Sequence, residues 1–279
     1  MSCDLHIHST CSDGSQTPEE IVAEAIEKRL TAIAVTDHDT VEGVMPAIEA
    51  ARGSDLTVIP AVEISTEFHK AEVHILGYWI ELDNEHLQSE FTYVREARRL
   101  RAEEIVRKLR ALGVEITIED VLAQSDGVSL GRPHVAQALL EGGYISEVQE
   151  AFDRFLGRDR PAFVPRYKLS PFRAVKAILD ASGCPVLAHP GLGVSDHIIE
   201  GLIEAGIEGI EAYHTHHTPS NTRRALRIAE ENGLLVTGGT DSHGPEGSYP
   251  VEIGENDVPD RCAEGLIAWA QEHHAPMPV

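Results

Sequence analysis

Seven short aliphatic or β-branched runs, at residues 4–8, 32–36, 56–62, 73–78, 185–189, 209–213 and 234–240, alternate with helix-like stretches along this 279-residue chain. Each run has the length of a strand and is bounded by polar or turn residues. Helix starts stand between them. Thr17-Pro18-Glu19-Glu20 reads as a capping box with Pro at the first helical position, and Ser170-Pro171 repeats the Pro signal. Such alternation predicts an α/β protein with parallel strands and right-handed helical crossovers, and seven strands suit a distorted, closed or nearly closed (β/α)7 barrel. An open, doubly wound sheet is the rival arrangement.

The alternation breaks once, between about residues 84 and 165, where the pattern turns helical and heavily charged. A long amphipathic helix begins near Glu96-Ala97-Arg98-Arg99-Leu100-Arg101, and shorter helical patterns follow at 118–124, 133–141 and 147–156. The expected organisation is a barrel in two parts, residues 1–98 and 168–279, with a helical insertion at 99–167 capping its active site.

A formal net charge of -23 disfavours long nucleic acid, because duplex binding relies on Lys and Arg displacing counterions from phosphates. A small phosphorylated substrate stays compatible, since bound metal ions reverse the local charge of an acidic pocket. No apolar run approaches the roughly 20 residues of a membrane-spanning helix, and Met-Ser-Cys-Asp-Leu-His does not read as a secretion signal. Cys3, Cys11, Cys184 and Cys262 have no paired spacing. Reduced thiols and a cytoplasmic location are therefore expected, with no membrane partner. The oligomeric state is left open.

The 15 histidines are the unusual feature of the composition, because most stand beside the β-like runs. His6 and His8 are two apart in a predicted strand, whose period of two sends both imidazoles to one face. Other candidate ligands cluster at the ends of predicted strands, where parallel barrels assemble active sites. Thr36-Asp37-His38 ends the second, Glu63 the third, Ala188-His189-Pro190 the fifth and Asp241-Ser242-His243 the seventh, while His74 lies in the fourth.

The ordered series His6-Ile7-His8, Ser12-Asp13-Gly14, Thr36-Asp37-His38, Glu63, His74, His189-Pro190 and Asp241-Ser242-His243 resembles the polymerase and histidinol phosphatase (PHP) family of metal-dependent phosphoesterases. The resemblance implies a distorted seven-stranded barrel with a trinuclear site in which Glu63 bridges two ions. It implies that His6, His8, Glu63 and Asp241 hold the first ion, Glu63, His74 and His189 the second, and Asp13, His38 and His243 the third. Glu63, Asp241 and His243 are assigned catalytic roles as well. Asp13 stands where histidine is common in such proteins, and Ala61-Val62-Glu63 lacks the usual glycine before the glutamate.

Imidazole and carboxylate without thiolate suit manganese, iron or zinc, with manganese preferred, and the resemblance implies three such ions, so three Mn2+ are expected. Two ions sharing a carboxylate bring a bridging water toward a pKa of ~7, so hydroxide is available at neutral pH without a protein nucleophile. Leu130-Gly131-Arg132-Pro133-His134 resembles a stretch of the PHP subgroup acting on nucleoside 3',5'-bisphosphates and very short RNA, which implies that Arg132 and His134 bind substrate. Phe163-Val164-Pro165-Arg166-Tyr167-Lys168 offers charge and a ring for a base. The expected reaction removes the 3'-phosphate of a nucleoside 3',5'-bisphosphate, such as adenosine 3',5'-bisphosphate, giving a nucleoside 5'-phosphate and orthophosphate. Histidinol phosphatase, 5'-3' exoribonuclease on short RNA, a C-N amidohydrolase and a non-catalytic metal-binding domain are the alternatives. His214, His216 and His217 lie near the sixth strand's end and stay outside the metal set, as do His69, Cys11, His197, His273 and His274.

Overall fold

The computed structural model describes residues 2–69, 71–124, 130–165, 169–247 and 251–275. They form a mixed α/β protein with two compact units: residues 1–90 with 169–279, and Phe91–Lys168.

In the first unit β1 (Ser2–Ile7), α1 (Pro18–Glu27), β2 (Ala32–Val35), α2 (Val44–Ala50) and β3 (Thr57–Val58) follow the expected alternation. Thr17 caps α1 through the capping box, with Pro18 in the first turn. Its inner face, Ile21, Val22 and Ala25, packs with Ile7, Ile33, Val35 and Ala47. β1, β2 and β3 are parallel.

The next pair departs from expectation. β4 (Ala61–Phe68) and β5 (Ala71–Tyr78) form an antiparallel hairpin. Only residues 69 and 70 separate these strands, whereas a parallel crossover needs a dozen or more. His69 takes a φ of 48° in the turn. Pro60 accounts for a second difference: having no N–H to donate, it divides the 56–62 run into β3 and the start of β4. Glu63 consequently lies inside an eight-residue strand rather than at the end of a shorter one.

In the second unit lie most of α3 (Glu85–Ala111), then α4 (Ile118–Leu122), α5 (Arg132–Glu141), α6 (Val148–Ala151) and a π-helical turn, Phe152–Leu156. Val106, Leu109, Val121, Val135, Leu139 and Leu156 are among the residues of its own buried core.

The first unit resumes with α7 (Pro171–Asp180), β6 (Cys184–Leu187), α8 (Asp196–Glu204), β7 (Gly209–His214), α9 (Pro219–Asn232), β8 (Leu235–Gly239), β9 (Val258–Pro259) and α10 (Arg261–Glu272). β6, β7 and β8 are parallel, but β6 is antiparallel to β5. The ladders thus give a four-stranded sheet, β3-β2-β1-β9, and a five-stranded sheet, β4-β5-β6-β7-β8. Isolated bridges Ile7–Ser242 and His38–Glu63 join them, and the buried Tyr78 hydroxyl donates to Leu5 O at 2.8 Å. Leu5, Ala34, Leu76, Tyr78 and Val186 pack with Leu266 and Trp269 of α10 in one core cluster. Among the described residues, no helix is long and apolar enough to cross a membrane.

Candidate metal centre

Buried carboxylates fasten the segments that carry the chemistry. Asp4 accepts from Thr240 N at 2.9 Å, Thr240 Oγ1 at 2.7 Å and Gly254 N at 2.8 Å, tying β1 to the segment before Asp241. Asp37 accepts from Ser9 N, Ser9 Oγ and Ser12 Oγ at 2.7, 2.6 and 2.6 Å, folding the loop that holds Asp13. Gly14 is needed there, since a Cβ would stand 2.3 Å from His8 O. Asp39 accepts from Ser65 N at 3.0 Å, fastening the residue after His38 to β4. His189 and Asp241 have φ of 26° and 56°. Left-handed backbone at a non-glycine residue costs about 1–3 kcal/mol and persists where surrounding contacts enforce it.

The result is one carboxylate surrounded by five imidazoles. Glu63, 1% exposed, has Oε1 at 2.9 Å from His74 Nδ1, 3.1 Å from His189 Nε2 and 3.4 Å from His6 Nε2. Its Oε2 is 2.9 Å from His38 Nδ1 and 3.4 Å from His8 Nε2. Asp241 is the second focus, with Oδ1 at 3.0 Å from His8 Nε2 and 3.4 Å from His6 Nε2. Asp13, half exposed, completes the outer side: its carboxylate lies 3.4 Å from His243 Nε2, 3.8 Å from His8 Nδ1 and 3.9 Å from His38 Nε2.

The structure therefore brings His6, His8, Asp13, His38, Glu63, His74, His189, Asp241 and His243 together. Four groups have potential donor atoms within 4.8 Å of one another: His8, Asp13, His38 and His243; His6, His189 and Asp241; His6, His8 and Glu63; and His38, Glu63 and His74. Their membership overlaps, as donors around adjacent ions require.

Several polar atoms here lack the partners that burial demands. His6 Nε2, both His8 ring nitrogens and Glu63 Oε2 are buried with no hydrogen bond. Leaving such a group unsatisfied costs about 1–3 kcal/mol, more for charged groups. His6 Nε2 stands 3.4 Å from Glu63 Oε1, and His8 Nε2 stands 3.4 Å from Glu63 Oε2 and 3.0 Å from Asp241 Oδ1, a geometry suited to donors facing a shared cation. His243 offers a further indication, because its Nδ1 is 2.9 Å from Asp241 O. A proton on Nδ1, donated to that carbonyl, leaves Nε2 with its lone pair toward Asp13. The residues present fit divalent ions.

Burial opposes protonation of His6, His38 and His189, but the carboxylates around them outweigh it and raise all three, His38 to about 9, so binding of divalent ions there displaces protons. Burial alone would raise the Glu63 carboxyl, but His74, His38 and His6 outweigh it and hold the group well below its ordinary range. Asp241 is likewise held well below, against burial, by His6, His214 and His8. Burial, reinforced by His8, pushes His243 down to about 4, leaving a neutral ring suited to ligation.

A PHP domain matches residues 4–157. The chain belongs to the PHP domain family. This PHP protein is 31% identical over 249 residues to the 5'-3' exoribonuclease Rnm of Escherichia coli, covering 87% of this chain and 85% of that protein. It is also 31% identical over 266 residues to a 3',5'-nucleoside bisphosphate phosphatase of Chromobacterium violaceum, covering 93% of each. A crystal structure from Bifidobacterium adolescentis, provisionally described as a metal-dependent phosphoesterase, superposes with a TM-score of 0.82 at 32% identity over 95% of each chain.

The second unit of the PHP protein holds Arg132 and His134 at the start of α5. Arg132 Nη1 donates to Leu156 O at 3.2 Å, and the guanidinium lies 5.7 and 6.0 Å from the Phe152 and Phe163 ring centroids. His134 Nδ1 accepts from Gly131 N at 3.0 Å, so this ring also caps its helix. Arg166, Tyr167 and Lys168 lie outside the described residues. His69, Cys11, His197, His273 and His274 join none of the four groups, nor do His216 and His217.

Two residues of β7 reach the centre although sequence reading gave neither a defined role. Glu211 contacts His6 and His189. His214 is buried with Nε2 3.4 Å from Asp241 Oδ2. The signal was hidden by register: pairing with β8 slips between Glu211 and Tyr213, so strict two-residue alternation fails. Such a bulge re-aims side chains. Tyr213 instead packs on the core cluster, its hydroxyl accepting from Arg261 Nη2 at 2.6 Å.

Proposed function

We propose that this PHP-family phosphoesterase removes the 3'-phosphate of nucleoside 3',5'-bisphosphates, giving a nucleoside 5'-phosphate and orthophosphate. The observation that carries the reading is the convergence of nine side chains, Glu63 and Asp241 among them, with buried nitrogen and oxygen atoms left without hydrogen-bond partners. We assign those side chains to three divalent ions, Mn2+ foremost and Zn2+ or Fe2+ as substitutes, because the donors are imidazole and carboxylate without thiolate. When bound, such ions supply an activated water and neutralise phosphoryl charge. Glu63 keeps five imidazoles directed inward, while Asp241 and His243 set the opposite wall. The fold reading is a distorted seven-stranded barrel of β1, β2 and β4–β8, supported by the two bridges that join the sheets.

The helical unit is the cap in this reading, and its charge supports a role with phosphates. More than half of the chain's 23 Lys and Arg fall within Phe91–Lys168, although the whole chain carries -23. Arg132 has five N–H donors in a planar fork, and the bond to Leu156 O uses one of them. The fork matches a phosphate in a way that Lys cannot. His134 adds a ring at the same helix start. A nucleotide is preferred over histidinol phosphate because the Chromobacterium violaceum relative is a nucleoside bisphosphate phosphatase. The Escherichia coli relative favours a second reading, 5'-3' trimming of very short RNA.

Purified protein loaded with Mn2+ should release phosphate from adenosine 3',5'-bisphosphate faster than from histidinol phosphate. Absence of release from the bisphosphate contradicts the reading, and nucleotide release from short RNA alone favours the second. Arg132→Ala should lower kcat/KM for the bisphosphate by roughly 10- to 100-fold, the scale of a lost charge-assisted hydrogen bond. Its metal content should match the parent's. Unchanged kcat/KM removes Arg132 from substrate binding.

A further inference from the structure

Glu211 stands outside the proposed ligand set, yet it is fully buried and directs both carboxylate oxygens at residues of the centre. Oε1 lies 3.0 Å from His6 Nδ1, and Oε2 accepts from the His189 backbone N–H at 2.7 Å. Oε2 is already an acceptor, and a carboxylate that accepts at both oxygens takes the Oε1 contact from a proton on His6 Nδ1.

The consequence falls on the opposite ring atom. His6 Nε2 is buried, has no hydrogen-bond partner and stands 3.4 Å from both Glu63 Oε1 and Asp241 Oδ1. A bare nitrogen lone pair facing two carboxylate oxygens is repelled, and either a proton on Nε2 or a cation among the three atoms relieves it. An ion at that point answers all three acceptors at once.

We propose that Glu211 is a positioning residue, fixing His6 in the Nδ1–H tautomer so that Nε2 faces an ion, and fastening His189 through its backbone. The inference rests on the reading above that the centre holds divalent ions, and adds an outer carboxylate to it. Carboxylate partners of this kind fix a ligand histidine's orientation and raise its basicity. The bulge in β7 makes the arrangement possible, since it lets Glu211 reach His6 while His214 reaches Asp241 from the same strand. In Glu211→Gln the side-chain amide cannot accept from both His6 and the His189 N–H, because one of its two ends is a donor.

Mn2+ titration of ion-free protein tests the proposal, with circular dichroism recording the fold. Glu211→Gln should retain the parent spectrum and bind Mn2+ about 10- to 100-fold more weakly at one or more sites. Binding within about twofold of the parent at every site overturns the role of Glu211 and leaves the proposed function standing. A parent protein that binds no Mn2+ contradicts the proposed function itself. Should Glu211→Gln not fold, imidazole nitrogen NMR of the parent loaded with diamagnetic Zn2+ decides. A proton on His6 Nδ1 with Nε2 coordinated supports the assignment, and coordination through Nδ1 overturns it.

Discussion

Glu63→Gln is expected to abolish phosphate release, with a fall on the order of 10³-fold or more, and to lower the number of ions retained. The substitution keeps size and shape but removes the charge at the point where five imidazoles meet. One end of the new amide is a donor, and it faces ring nitrogens positioned 2.9–3.4 Å from the parent oxygens. Fewer nitrogens then find a cation or an acceptor. Removing one member of a buried charge cluster costs about 3–5 kcal/mol when the others stay behind. The variant should therefore melt at lower temperature as well. Parallel assays of phosphate release, elemental content and melting check this, with Glu252→Gln as the comparison. Glu252 is exposed and bonds to Lys28 at 2.9 Å, far in function from the centre. A Glu63→Gln protein with full metal content and parent-like turnover contradicts the proposed role of Glu63 in holding the ions.

Stripping the ions with a strong chelator is expected to have an equally large effect on turnover and a separate effect on stability. An ion that binds the folded chain alone stabilises it by about 2.7 kcal/mol when present at 100 times its Kd. At roughly 2–4 °C per kcal/mol, the scale for 150–250 residues, chelation should lower Tm by about 5–10 °C for each ion removed. Adding Mn2+ back should restore both Tm and phosphate release, which separates ion loss from irreversible damage. A chelated protein with unchanged Tm and turnover contradicts an ion-built centre.

Much of this centre was legible in the sequence because its donors follow simple local rules. His6 and His8 share a face through the two-residue strand period, and both are buried beside Glu63. His189, Asp241 and His243 follow strands, as the barrel pattern anticipates. The α/β class was equally legible, since the Thr17 capping box and the Ser170-Pro171 start mark two helices that form.

What escaped depends on geometry that no period encodes. The direction of β5 is set by a connection only two residues long, and the split of the 56–62 run is set by the missing N–H of Pro60. Glu211 and His214 are three apart, a spacing that assigns opposite faces until a bulge intervenes. Asp4, Asp37 and Asp39 carry no sequence signal for an anchoring role, yet each accepts hydrogen bonds that anchor a segment of the centre. The two parts of a buried network become visible only when distant segments meet.

The central claim is that these imidazoles and carboxylates grip cations. Anomalous difference density collected at the manganese edge, from crystals grown with Mn2+, tests it most directly. The account predicts separate peaks roughly 2 Å from donor atoms of Glu63, Asp241 and the surrounding histidines, the distance typical of such ligands. A well-ordered pocket with no anomalous peak among those side chains would contradict it.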